Sequence, residues 1–225
     1  MPIDANAATI VSAFDDVPRF AQGQVRDIRV RWACEEIGRP YRPELIHARA
    51  DKPEGYRRWQ PFGQVPAFAD DRVRIFESGA ILLYLAERDE RLLPSEPADR
   101  WNAITWLIAA LNSVEPSIMQ VVWTGVFNKG KDWVEPAMPA VIDFAKTRLK
   151  SLSDALGDKD WLIGRFTVAD IMMVTVLRAL RHTQILEEFP NLAAYRARGE
   201  TRPAFVQALA DQMAGFDIPE SQGVQ

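Results

Sequence analysis

The chain has 225 residues, 48% hydrophobic and 26% charged, with a formal net charge of −4, which suits one or two globular domains and lacks the basic footprint of a nucleic-acid binder. One cysteine, Cys34, excludes an intrachain disulfide, and the two histidines, His47 and His182, lie far apart, so no dedicated metal site is expected. No apolar run approaches a membrane span and the first residues show no basic start with an apolar core, so no membrane partner, no secretory signal and a reducing, cytoplasmic compartment are expected.

Residues 9–14 read as a first strand, followed by a loop at 15–23 with Pro18 and Gly23 as breakers. A helix is expected from Gln24 to Ile37, stopped by Gly38 with Pro40 beyond it. Val30, Ala33, Cys34 and Ile37 fall at i, i+3, i+4 and i+7 on its apolar stripe, so Cys34 reads as a small core residue and not as a nucleophile. Residues 41–47 form a second strand, and 50–59 a polar connection with room for a short helix. Two short apolar runs, 65–69 and 73–76, flank Asp70 and Asp71 and read as a hairpin. Pro66 cannot donate to a ladder and belongs at the first residue or the edge of its strand. A helix then starts near Ser78, with Ile81, Leu82 and Leu85 on one face.

That last junction makes a small anion-binding device. A helix beginning at Ser78 leaves its first backbone N–H groups unpaired. Ser78 adds a hydroxyl and Glu77 a carboxylate able to hold an ammonium group. An α-amino acid end fits both, its carboxylate on the helix and its amine near Glu77. Pro66, if cis, would turn the Val65 backbone outward to pair with a peptide ligand as an added strand.

Residues 93–97, rich in Pro and Ser, read as a linker, and the pattern beyond them is helical. A long helix from about Ala98 passes Trp106 and Leu111 and is expected to kink or break at Pro116. Another covers 136–156. Thr167 and Asp170 form an S/T-x-x-D box ahead of an apolar run, the mark of a helix N-cap. No internal repeats or low-complexity segments appear.

Together Gly63-Gln64-Val65-Pro66, Glu77-Ser78-Gly79-Ala80-Ile81 and the Thr167/Asp170 box resemble the cytosolic glutathione transferases. The resemblance implies an α/β thioredoxin-like domain over residues 1–92, a linker at 93–97 and an all-helical domain over 98–225. It implies glutathione as co-substrate, held by Gln64, Val65, Pro66, Glu77 and Ser78, and no metal. The acceptor, a small hydrophobic electrophile, is expected between the domains near Asn112, Ser113, Glu115, Trp123 and Phe127. A homodimer is implied, built around residues 81–90 and 101–111. Conjugation of glutathione is the leading activity; a glutathione-dependent reductase or isomerase and a non-catalytic binding module are the alternatives.

The family's thiol-activating hydroxyl or thiol is missing. Counting back from Arg29-Val30-Arg31-Trp32-Ala33, the Ser/Cys position falls on Gln24, and with an inserted loop the Tyr position falls on Phe14. Ser12 shares a strand face with Phe14 but is short. What remains near the thiol is nitrogen: the Gln24 amide, the Arg26 guanidinium and the N–H groups opening the first helix, each of which favours a thiolate.

Overall fold

The computed structural model describes residues 2–216 and divides into two compact units. The first runs to Leu85 and takes back the last helix from Pro203; the second spans Ala86–Arg202.

The first unit is built on a four-stranded sheet, order β2-β1-β3-β4. β1 (Ile10–Phe14) pairs in parallel with β2 (Arg42–Ile46) and antiparallel with β3 (Ala67–Ala69), which pairs antiparallel with β4 (Arg74–Phe76). α1 (Asp27–Ile37) makes the parallel crossover from β1 to β2, α2 (Tyr56–Trp59) is one short turn, and α3 (Ser78–Ala86) follows the hairpin. Val11, Ser12 and Ala13 of the central strand are all buried, as a strand covered on both faces requires. The hairpin turn is held by Asp70, whose Oδ1 accepts the N–H groups of Arg72 and Val73 and whose Oδ2 accepts from Arg39 and Tyr84.

Two expectations change here. α1 begins at Asp27, not Gln24, because Gly23 takes φ +71° and the Gln24 N–H turns back to the Ala21 carbonyl at 2.9 Å. The bonds into α1, Ile28 to Val25 and Arg29 to Arg26, are still of the tighter i→i+3 kind. The division expected around 93–97 also differs from that of the structure. α9 (Pro203–Ala214) belongs with the first unit, where Phe205 stacks edge-on against Trp32 at 4.9 Å. Gln212 donates from α9 to Asp27 Oδ1 at 2.7 Å and to the Val25 carbonyl at 3.0 Å. Asp27 is in turn paired with Arg31 at 2.7 Å, both 1% exposed.

α1 and α9 also bring two carboxyls together. Glu35 Oε1 and Asp211 Oδ2 are buried and receive no donor. Burial, then the Asp211 charge, push Glu35 up from 4.5 to about 7. The folded chain therefore holds more protons than the unfolded one between those values; this contribution is whole below the unfolded value and is lost as pH rises through the folded one. Glu35→Gln is expected to flatten the decline of the urea midpoint over roughly pH 5 to 8. A variant that keeps the wild-type slope would contradict the pairing.

In the second unit, α4 (Pro97–Ala109) starts with Pro97 in its first turn and Glu96 accepting the Asp99 N–H at 2.9 Å. The expected break at Pro116 takes a definite form. A π-helical turn at Ala110–Val114 leads into α5 (Glu115–Val122), since Pro116 has no N–H to close the bond to Asn112. A second π turn, Trp123–Phe127, ends that helix. α6 (Val134–Leu156) and α8 (Pro190–Glu200) pack on each other, and α4, α5 and α8 surround α7 (Val168–Leu177), every residue of which is buried. α8 approaches closely because Gly199 has no side chain: a Cβ there would stand 2.7 Å from Val174. The segment read as a linker is partly docked. Leu93, its first residue, is buried, as is Leu92 just before it, whose carbonyl accepts the Val168 N–H at the start of α7.

Candidate functional site

The first unit brings β3, its preceding loop and the start of α3 together. The Val65–Pro66 bond is cis, and Glu77 is the described non-glycine residue with positive φ, at +69°. For a side-chain-bearing residue that is an unfavourable conformation of the sort found at ligand sites. It leaves Glu77 exposed at the mouth of α3 while its carbonyl accepts the Ile81 N–H at 3.0 Å. Ser78 is buried, and Arg29 from α1, 3% exposed, donates to its hydroxyl oxygen at 3.1 Å. The hydroxyl proton is thereby directed away from Arg29, and a guanidinium charge stands beside the positive end of the helix. Val65 makes no hydrogen bond to another described residue through its N–H or C=O.

Gln64 is exposed, but its backbone is fixed on both sides. Its N–H donates to Gln60 Oε1 at 3.0 Å, and its carbonyl accepts from Tyr56 Oη at 2.6 Å. Tyr56 Oη is 2.8 Å from Ser12 Oγ, which accepts the Ala67 N–H at 2.7 Å. Ser12 is thus fully buried in a structural chain. It is not a group presented to a ligand.

Gln24 and Arg26 stand half-buried in the turns before α1, Arg26 capping the helix in an α-helical conformation with φ −65°. Phe14 closes β1, its ring under Lys52 at 5.1 Å. The loop between them contains a 3-10 turn, Arg19–Ala21, and is tied to the end of β2: Asp15 and Asp16 both lie 3.1 Å from His47 Nδ1. These three groups could share a cation, yet Asp16 also accepts the Ala48 N–H and pairs with Arg49 at 3.7 Å.

In the second unit, Asn112 and Ser113 are exposed on the first π turn, and Glu115, 8% exposed, opens α5. Trp123 and Phe127 lie on the second π turn, 60% and 54% exposed, with ring centroids 5.8 Å apart. The proposed acceptor residues therefore cluster at the two irregular turns flanking α5. Sequence reasoning missed Arg29, Tyr56 and Gln60. Arg29 lies in the quoted Arg-Val-Arg run, but its burial is not legible in a charged residue; Gln60 and Tyr56 carry no motif.

Residues 28–88 match the model of the glutathione S-transferase N-terminal domain, and residues 118–212 that of the C-terminal domain. The chain belongs to the glutathione S-transferase family. The N-terminal match begins after the loop and after Gln24, so it includes Gln64, Val65, Pro66, Glu77 and Ser78 but not the candidate thiol-side groups. A glutathione S-transferase of Silene vulgaris is 28% identical over 188 residues, covering 76% of this chain and 84% of its own. The disulfide-bond oxidoreductase YfcG of Escherichia coli is also 28% identical, over 201 residues, 82% of this chain and 84% of its own. Among solved structures, a Pseudomonas fluorescens glutathione transferase family member with two glutathione bound aligns at 26% identity and a TM-score of 0.78, covering 89% of this chain and 92% of the other. This glutathione transferase family chain thus has the α/β thioredoxin-like sheet and the all-helical unit that the resemblance implies.

Proposed function

We propose that the protein binds glutathione on its first unit and conjugates it, through its thiol sulfur, to small hydrophobic electrophiles. The observation that carries this reading is the junction of the strained Glu77, the buried Ser78 and the Val65 backbone, unpaired among the described residues. The γ-glutamyl carboxylate would sit on the N-terminus of α3 and on the Ser78 hydroxyl, its amine on Glu77. The cysteinyl backbone would pair with Val65, alongside Gln64 and Pro66.

In the reaction, the thiolate sulfur donates an electron pair to the electrophilic carbon, forming the S–C bond, and a leaving group departs with its own pair. The thiol proton has by then left to solvent. A thiol of pKa ~8.5 is only about 3% ionised at pH 7, and one of ~6.5 roughly 75%. Falling nucleophilicity reduces the gain to about threefold, so orientation supplies more of the rate than ionisation does. Thiolate stabilisation falls to the N–H groups opening α1, assisted by Gln24 and Arg26. Asn112, Glu115 and Trp123 would line the acceptor side, the Trp123 and Phe127 rings favouring a flat apolar substrate.

Arg26→Ala should cost ten- to a hundredfold in kcat/KM for an aryl halide, the equivalent of one charge-assisted contact of ~1.5–3 kcal/mol. Activity within twofold of wild type would remove Arg26 from the site. The similarity to a disulfide-bond oxidoreductase favours one second reading, thiol–disulfide exchange by glutathione at the same place. Turnover of a mixed disulfide with none of an aryl halide would select it.

A further inference from the structure

The chain of side chains behind Gln64 has a defined direction. A carbonyl can only accept, so the one proton of Tyr56 goes to Gln64, and the Ser12 proton goes to Tyr56. Ser12 then accepts from Ala67, and every donor in the chain is used. Burial pushes the Tyr56 phenol above its ordinary range, against the Ser12 hydrogen bond, which keeps it a donor.

The carbonyl of Gln64 and the N–H of Val65 belong to one planar peptide unit and, when that unit is trans, point in opposite directions. Anchoring the carbonyl on Tyr56 therefore aims the Val65 N–H away from the buried side. Gln60, 2% exposed, fixes the preceding peptide unit through the Gln64 N–H. We infer that Tyr56, supported by Ser12 and with Gln60 opposite, forms a clamp that orients the Val65 N–H toward the carbonyl of a bound cysteinyl residue. These are positioning residues; none touches the ligand. The inference rests on the glutathione reading and adds to it the part of the fold that sets the peptide-pairing geometry.

The test compares two ligands by calorimetry on wild type and Tyr56→Phe: reduced glutathione, and an analogue in which a trans-alkene replaces the cysteinyl–glycine amide and so deletes the paired carbonyl. Tyr56→Phe should weaken glutathione about tenfold and the alkene analogue by less than about twofold, because only glutathione has the contact to lose. Equal weakening of both ligands means a general structural role and overturns the clamp; so does unchanged glutathione binding. If Tyr56→Phe does not fold, Gln60→Leu removes the opposite anchor and must show the same ligand-dependent split. Wild type that binds no glutathione would overturn the functional reading and the clamp together, whereas wild-type binding without the split overturns the clamp alone.

Discussion

Asp170→Ala is expected to lower stability by about 3–5 kcal/mol, a large share of the ~5–15 kcal/mol that holds a typical domain folded. Asp170 is fully buried and accepts four hydrogen bonds: Leu162 N–H at 3.0 Å and Tyr195 Oη at 2.8 Å on one oxygen, Thr167 N–H at 2.8 Å and its hydroxyl at 3.1 Å on the other. Burial pushes its carboxyl up, and these donors pull it back. Alanine would strand donors that cannot reach water, at about 1–3 kcal/mol each before relaxation. The box also joins three parts of the second unit, the 162 turn, the start of α7 and Tyr195 on α8. The loss should appear as a lower urea midpoint with little change in slope. A variant that melts like wild type but has lost activity would contradict this structural role.

The Thr167/Asp170 box was legible because its signal is local: an oxygen-bearing cap, a carboxylate three residues on, an apolar run behind. The hairpin around Asp70 and the start of α3 at Ser78 were legible for the same reason. What was not legible depends on distance along the chain. Nothing near Ser12 indicates that Tyr56, 44 positions away, will take its proton. Nothing in residues 203–214 says that the last helix will join the first unit; that follows from Phe205 meeting Trp32 and Gln212 meeting Asp27. The helix expected from Gln24, just past the Gly23 breaker, starts instead at Asp27, because i→i+3 turns occupy the residues between. Pro116 announced an irregularity in the long helix, and its missing N–H explains a π turn, but not the second one at Trp123.

The larger binding effect belongs to Glu77 and Ser78. The positive φ of Glu77 is retained in a residue that has a Cβ to make it costly, at about 1–3 kcal/mol. Ser78 is held from behind by Arg29, which leaves the hydroxyl proton for an acceptor in front. Both features make sense if an amino-acid end with two opposite charges sits there: carboxylate on the helix N-terminus, ammonium on Glu77. Each lost charge-assisted bond is worth ~1.5–3 kcal/mol, so replacing both residues by alanine should raise the glutathione Kd at least tenfold. The direct test is titration calorimetry of reduced glutathione into wild type and the folded Glu77→Ala/Ser78→Ala variant at one ionic strength. Occupancy of this junction predicts saturable binding to wild type and a Kd at least ten times higher in the variant; equal affinities in the two proteins would contradict it.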